Sequence, residues 1–233
     1  GLDHVVNLTR ARLQSVNELG QFNISDDCGG CWSGSLHPEW TPDSWRSIVG
    51  RLADLKSAYK QLPVHPAHAA FSIVALSNGG AVSFFRGISL MFGTTAAVYA
   101  FLRFSRAIAF LGTRLLQLSI VEFFDDFSQV ESEQLADSAQ SSLESLLGLL
   151  GWAIADSEAK RKPFAPSFVS LGVEVDLSGS VTKVIRLKNK PGRVEAIVET
   201  ASALCLPNAL LGFKESLSLR GRIAFAEGST HAK

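Results

Sequence analysis

Three aspartates account for most of the chemistry this sequence could perform. Asp125 and Asp126 stand side by side in an apolar, aromatic stretch, VEFFDDFSQV, and Asp54 ends the apolar run SIVGRLAD. Adjacent carboxylates repel, and taking each out of water costs on the order of several kcal/mol unless something neutralises it. Taken singly, each has an ordinary reading: Asp54 as a helix cap and Asp125-Asp126 as a hairpin turn. Taken together they admit another. Two strands that each end on an aspartate can bring the carboxylates together, and such a cluster suits hard divalent cations, with Mg2+ completing its shell from substrate phosphates. A pair of such ions roughly 4 Å apart activates an attacking hydroxyl and stabilises the leaving oxygen. Without cations, crowded carboxylates would raise one another's pKa values.

The elements that must position these groups follow from pattern. WRSIVGRLADLKSAY reads as a strand running out at Asp54 into a short helical or turn segment, stopped by Pro63 and Pro66. AFSIVALSNGGAVSFFRGISL reads as a hairpin around Asn78-Gly79-Gly80. A helix follows, with Thr94 or Thr95 as N-cap and Val98, Phe101, Leu102, Ile108 and Ala109 at helical spacing. LSIVEFFDDFSQVES is a second hairpin with the aspartates at its tip, and EQLADSAQSSLESLLGLLG an amphipathic helix. A third hairpin is expected around Ser178-Gly179-Ser180, then a helix with Pro191 near its first turn and a last helix over SLSLRGRIAFAEG. SDDCGGCWSGS near the N-terminus reads as a loop. The order predicts an α+β fold, a sheet with helices on one face.

Bulk properties narrow the class. A chain of 233 residues, 46% hydrophobic and 19% charged, buries a real core and is not a disordered tail. Net charge is zero, but the signs segregate. From Gln117 to Ala159 there are acids and no Lys or Arg, whereas Lys160 to Arg193 carries eight bases against Glu174 and Asp176. That pattern suits cations at one place and a polyanion beside it, or simply two solvated faces. Three cysteines make no disulfide framework, which predicts a reducing, intracellular location, cytoplasm or nucleus. Cys28 and Cys31 form half a zinc site or a plain loop with two cysteines. The longest apolar run, from Ala96 to Leu118, is broken by Arg103, Arg106 and Arg114, so no membrane span is expected. The chain opens on Gly1 without methionine, which predicts a fragment.

The ordered segments resemble the polymerase domain of a retroelement reverse transcriptase, over about residues 46 to 228. ADLKSAYKQLPVHP resembles the first catalytic motif, FFRGISLMFGTTAAVYAF the Pro-Phe-Gly segment and its helix, and FFDDF the aromatic-x-Asp-Asp box. LLGWAIADSEAKRKPF with FVSLGVEVDLSG resembles the lysine-bearing loop and the primer-gripping hairpin, and NKPGRVEAI with SLRGRIAFAEG the helical region beyond. The resemblance implies an RNA-directed DNA polymerase built on a palm, a ferredoxin-like antiparallel sheet with helices on one face. Residues 1–45 would be partial fingers, 46–182 the palm with a fingers insertion near 66–90, and 183–233 the start of a thumb or connection.

It also implies roles. Asp54 and Asp125 would hold two Mg2+ ions (Mn2+ as substitute), with Asp126 assisting and Leu55 offering a backbone carbonyl. Tyr59 would exclude the 2′-hydroxyl, and Phe92 and Gly93 would border the dNTP. Phe123, Leu171 and Gly172 would lie along the primer, with Lys183, Arg186, Lys188 and Lys190 on the backbone of an RNA or DNA template and its DNA primer. Lys160, or as the second choice Lys162, would sit near the triphosphate and protonate the pyrophosphate. The sequence departs from the family at Met91 and Val98, where prolines are common, and at Thr95, where lysine is. Arg10 and Arg12 are the only N-terminal candidates to clamp a triphosphate, and no ribonuclease H or integrase segment follows Lys233, so further Pol polyprotein domains are expected elsewhere. The competing expectation is a degenerate or truncated domain that binds nucleic acid or a partner without catalysis.

Overall fold

A computed structural model describes residues 1–25, 28–155, 162–206 and 212–228. In chain order the elements are α1 (Leu2–Gln14), β1 (Gln21–Ser25), β2 (Cys31–Ser35), α2 (Pro42–Arg46), β3 (Ile48–Asp54), β4 (Ile73–Asn78), β5 (Ala81–Arg86), α3 (Thr95–Leu116), β6 (Ile120–Phe123), β7 (Asp126–Ser132), α4 (Ala136–Leu149), β8 (Ser167–Ser170), β9 (Val173–Asp176), β10 (Arg186–Asn189), α5 (Arg193–Leu204) and α6 (Phe213–Gly228). Helix and sheet are mixed, as the pattern predicts. By compactness the chain divides into two units, one of Leu52–Gln129 and Leu135–Pro163 with Gly1, the other of Leu2–Arg51, Val130–Gln134 and Phe164–Lys233.

The first unit is built around α3. Its buried residues Ala97, Phe101, Ser105, Ile108, Ala109 and Gly112 recur every three or four positions, the period of one helix face. Gln117, in the left-handed conformation, ends the helix by donating its N–H to the Gly112 carbonyl. At Gly112 a Cβ would lie 3.6–3.9 Å from Leu118, Leu146 and Ile120, so α3, α4 and β6 pack closely there. Leu143 and Leu147 of α4 are fully buried. A three-stranded sheet of order β3-β7-β6 contributes residues from Leu52 and up to Gln129 to this unit. β6 and β7 form the expected hairpin, Phe123 pairing with Asp126. The aspartates do not share its tip, however: the two turn residues are Phe124 and Asp125, and Asp126 opens β7. β4 and β5 pair as predicted, and Gly79 and Gly80 supply the positive φ angles of that turn.

In the second unit, β8, β9 and β10 form a sheet of order β10-β9-β8. The hairpin expected around Ser178-Gly179-Ser180 is present: β9 and β10 pair antiparallel, Asp176 opposite Arg186, across a longer connection containing a short 3-10 turn. A second, tighter hairpin turn precedes it at Leu171-Gly172 between β8 and β9, both residues at positive φ. Two consecutive left-handed residues suit the twist of a two-residue hairpin, which Gly172 adopts freely and Leu171 only with strain. A correction concerns the N-terminal loop: Cys31–Ser35 is a strand paired with β1, Trp32 standing opposite Ile24 and Gly34 leaving room for the Phe22 ring opposite it. Pro191 precedes the α5 cap, Gly192, which sits at φ 80°. At Gly50 of β3 an added Cβ would lie 2.2 Å from the Phe168 ring.

Candidate active site

Backbone hydrogen bonds bring the two predicted motifs together in the first unit. The Leu55 N–H, one residue past the end of β3, donates to the Asp125 carbonyl at 3.3 Å. On the other side, Ala155 N–H donates to the Asp54 carbonyl and Lys56 N–H to the Ala153 carbonyl, each at 2.9 Å. Gln61 reinforces this: its Nε2 donates to the Lys56 and Ala153 carbonyls, and its Oε1 accepts from the Ala153 N–H. The segment carrying Asp54 is thus held from two sides.

The turn bearing Asp125 is itself strained. Phe124 has φ 56°, a conformation bulky residues avoid at a cost on the order of 1–3 kcal/mol. Its carbonyl accepts a hydrogen bond from Ser105 Oγ, a fully buried hydroxyl on α3. Ser105 was not singled out by the sequence reading, although its signal was there: a polar residue on the buried stripe between Phe101 and Ile108. Ser105→Ala is expected to leave that carbonyl without its partner and cost about 1–2 kcal/mol. At about 2–4 °C per kcal/mol for a chain this size, thermal unfolding should show it. An unchanged midpoint would remove Ser105 as the support of the turn.

Beside the turn lies a cavity of about 520 Å3, lined among others by Ser57, Tyr59, Lys60, Met91, Phe92 and Asp125. Tyr59 is 9% exposed, stacks on Phe101 at 4.7 Å and meets Phe92 edge-on at 5.6 Å. Phe92 is 87% exposed. Gly93 has φ 94° with open space at its Cβ position, so it is the backbone conformation and not crowding that calls for glycine. Lys60, another residue the sequence reading passed over, is exposed and is one of the residues lining the cavity.

Burial holds the Tyr59 phenol above its ordinary pKa, and the Asp125 carboxylate adds to the shift. A folded-state value above the unfolded one means the folded chain keeps the proton longer. The associated stability is complete below the unfolded value near 10 and lost as pH rises through the folded one. In a Tyr99→Phe variant, which leaves Tyr59 as the sole phenol, ultraviolet titration is expected to show ionisation above that of free tyrosine, with stability falling over the same range. Ionisation at or below the free value would contradict the burial and the carboxylate's proximity.

The other expected residues are placed as follows. Asp126 alternates along β7 with fully buried Phe127, which turns the aspartate to the opposite side of the strand. Phe123 is exposed and meets Phe124 edge-on at 5.0 Å. Lys160 lies outside the described residues. Leu171 and Gly172 form their turn in the second unit, where Lys188 Nζ contacts Asp176 Oδ2 at 2.7 Å and Lys183 Nζ contacts Glu18 Oε1 at 2.9 Å. Lys188, with help from Ser178, holds Asp176 far below the usual carboxylate range. Arg186 and Lys190 are exposed. Arg12 is ion-paired to buried Glu131, while Arg10 lines a separate 380 Å3 cleft with Lys183. Among the described residues no three His, Cys, Asp or Glu side chains group as a metal site, at Cys28 and Cys31 or elsewhere. No described helix is long and apolar enough to cross a membrane.

No protein-family model and no curated protein sequence matches the chain. Solved structures do. A foamy viral protease-reverse transcriptase in complex with RNA/DNA hybrid superposes with a TM-score of 0.56 at 14% identity, over 77% of this chain. The foamy viral protein in complex with dsDNA superposes with a TM-score of 0.52 at 14% identity, over 88% of this chain. The fold is reverse-transcriptase-like. This reverse-transcriptase-like chain spans 21% and 42% of the length of those two structures.

Proposed function

We propose that this chain is a template-directed DNA polymerase of the reverse transcriptase type, transferring a nucleotide from a dNTP to a primer 3′-hydroxyl. The observation that carries the reading is the Leu55–Asp125 backbone bond beside a cavity lined by Tyr59, Phe92 and Asp125. It supports a shared locus for Asp54 and Asp125 at the mouth of a nucleotide-sized space. In this reading 46–182 is the palm, 1–45 and a stretch near 66–90 are fingers, and 183–233 begins a thumb. The chain would then be one part of a longer Pol polyprotein.

The donor set fits Mg2+, and Mn2+ would serve in its place. The Asp54 and Asp125 carboxylates and the Leu55 carbonyl are hard oxygens, few enough to leave coordination positions for substrate phosphates. When bound, a pair of such ions supplies an activated hydroxyl and neutralises charge on the reacting phosphate. The chain's own residues orient the reactants, from which most of the rate of such phosphoryl transfer comes. The Tyr59 ring, fixed on Phe101, blocks a 2′-hydroxyl, and its raised pKa keeps it neutral beside Asp125. Phe92 and Gly93 border the base and sugar, and Phe123 with Leu171-Gly172 positions the primer. Asp126 assists from the neighbouring strand position. Arg186 and Lys190 contact the nucleic-acid backbone, with Lys183 and Lys188 available at the cost of their ion pairs. Lys160 protonates the departing pyrophosphate.

The engagement of Arg12 by Glu131 favours the second reading, a domain that binds nucleic acid without turnover, since it removes one candidate triphosphate clamp. Primer extension on an RNA template, with DNA primer, dNTPs and Mg2+, separates the two. The polymerase reading expects extension; a folded, primer-binding chain that extends nothing supports the second. Sugar selection is tested alongside. Tyr59→Ala is expected to admit ribonucleotides, while Tyr59→Phe, which keeps the ring, continues to exclude them. Loss of the buried ring costs about 3–5 kcal/mol, so the alanine variant is assayed well below its unfolding temperature. Unchanged discrimination in a folded Tyr59→Ala chain would end the gate assignment.

A further inference from the structure

Helix α3 borders a groove whose lining shares no residue with the cavity beside Asp125. Along one side, Phe104, Ile108 and Leu111 face Leu62, Leu150 and Trp152 across this groove of about 290 Å3. Its lining holds no charged side chain. Trp152 meets Phe104 at 6.1 Å between ring centroids, so the groove has an aromatic end. Continuing out from the groove on the same face of the helix, Leu115 is 69% exposed.

The charges on this helix are of one sign. α3 contains Arg103, Arg106 and Arg114 and no Asp or Glu. All three arginines are exposed, and none makes an ion pair or side-chain hydrogen bond among the described residues. Arg103 and Arg114 are eleven positions apart, three helical turns, so they lie on one shoulder about 16 Å apart along the axis. They therefore bracket the groove lengthwise. Arg106 lies on the far side of the helix, but the two unneutralised guanidinium groups of Arg103 and Arg114 beside an uncharged apolar slot call for an occupant with carboxylates on one flank and aliphatic groups in the middle. Arginine forks bind carboxylates bidentately, which fixes the occupant's register as well as its sign.

We propose that this groove docks an amphipathic helix of a protein partner, apolar residues at i, i+3 or i+4 and i+7 filling the slot and acidic residues along one flank meeting Arg103 and Arg114. Such helix-in-groove recognition uses apolar anchors at that spacing. A single-stranded nucleic acid fits less well, because bases need flat aromatic platforms and most of this lining is aliphatic. The inference is independent of the polymerase reading.

The test uses the full chain and three labelled probes, each titrated by fluorescence anisotropy. They are a synthetic amphipathic helix with a leucine stripe and flanking glutamates, the same peptide with lysines for glutamates, and a single-stranded DNA oligonucleotide. The acidic peptide is expected to bind, and the combined Arg103→Glu and Arg114→Glu substitutions to weaken it at least tenfold while admitting the lysine peptide. Both substitutions lie on the exposed face, and circular dichroism checks that the fold survives. Because the groove contains Trp152, binding should also shift tryptophan emission in wild type and not in Trp152→Phe. Equal affinity for both peptides, or none for either, overturns the proposal. It also fails if only the oligonucleotide binds and is lost on charge reversal, or if sedimentation shows self-association through this face instead.

Discussion

Asp125→Asn is expected to lower primer extension by about two to three orders of magnitude or more while leaving the chain folded. The substitution keeps shape and removes charge. The bond that places the turn runs from the Leu55 N–H to the Asp125 backbone carbonyl, and Ser105 holds the Phe124 carbonyl, so neither depends on the carboxylate. What is lost is a hard anionic donor, and removing even one electrostatic contact to a transition state costs about 10²- to 10³-fold elsewhere. Single-nucleotide extension at saturating Mg2+ measures the effect. Two side measurements separate chemistry from structure: primer binding should be unchanged, and the Tyr59 phenol should ionise at lower pH once the neighbouring charge is gone. Asp126→Asn is expected to be milder, since that residue stands opposite buried Phe127 on its strand. Extension that survives Asp125→Asn, in a chain that otherwise extends, would withdraw the ligand assignment.

The largest effect on stability is expected at Gly50. A Cβ there would sit 2.2, 2.6 and 2.9 Å from three atoms of the Phe168 ring, far inside contact distance. Retreat is blocked on the strand side, because Gly50 N–H donates to the Ala165 carbonyl and Ala165 N–H to the Gly50 carbonyl, both at 2.9 Å. Phe168 is itself buried, paired through its backbone with Val175. Overpacking of this kind costs about 1–3 kcal/mol and more where nothing can shift. Gly50→Ala should therefore lower the denaturation midpoint, and combining it with Phe168→Leu should recover part of the loss. Additive effects in that double-mutant cycle would mean the two positions do not touch. A glycine inside a strand signals such a close approach in general, yet nothing near Gly50 in the sequence names the ring that fills the space.

The differences between sequence and structure have physical causes. The β6–β7 hairpin was legible because apolar alternation on both sides of two aspartates leaves few other options. Its exact turn was not, since Phe124 occupies a left-handed conformation that its residue type disfavours, held there by Ser105 some nineteen positions away. The hairpin around Ser178-Gly179-Ser180 was legible from its turn composition, and β9 and β10 do pair across it. The tighter Leu171-Gly172 turn was not, since a leucine at positive φ is invisible to composition. The N-terminal hairpin was read as loop because its Gly and Ser content outweighed the weak alternation of CWSGS. Among charges, the basic run from Lys183 to Lys190 was legible as a block, but not that Glu18 and Asp176 take up two of its members.

By itself, the sequence determined most element types, the order of the motifs and the positions of the three aspartates within them, because periodicity, turn residues and side-chain chemistry are local properties. The meeting of Leu55 with Asp125, the stacking of Tyr59 on Phe101 beside Phe92, the entry of Lys60 into the cavity lining and the uncovered arginine shoulder of α3 were decided by the tertiary structure. Each joins residues far apart in the chain or distinguishes faces of one helix, and only packing fixes such relations.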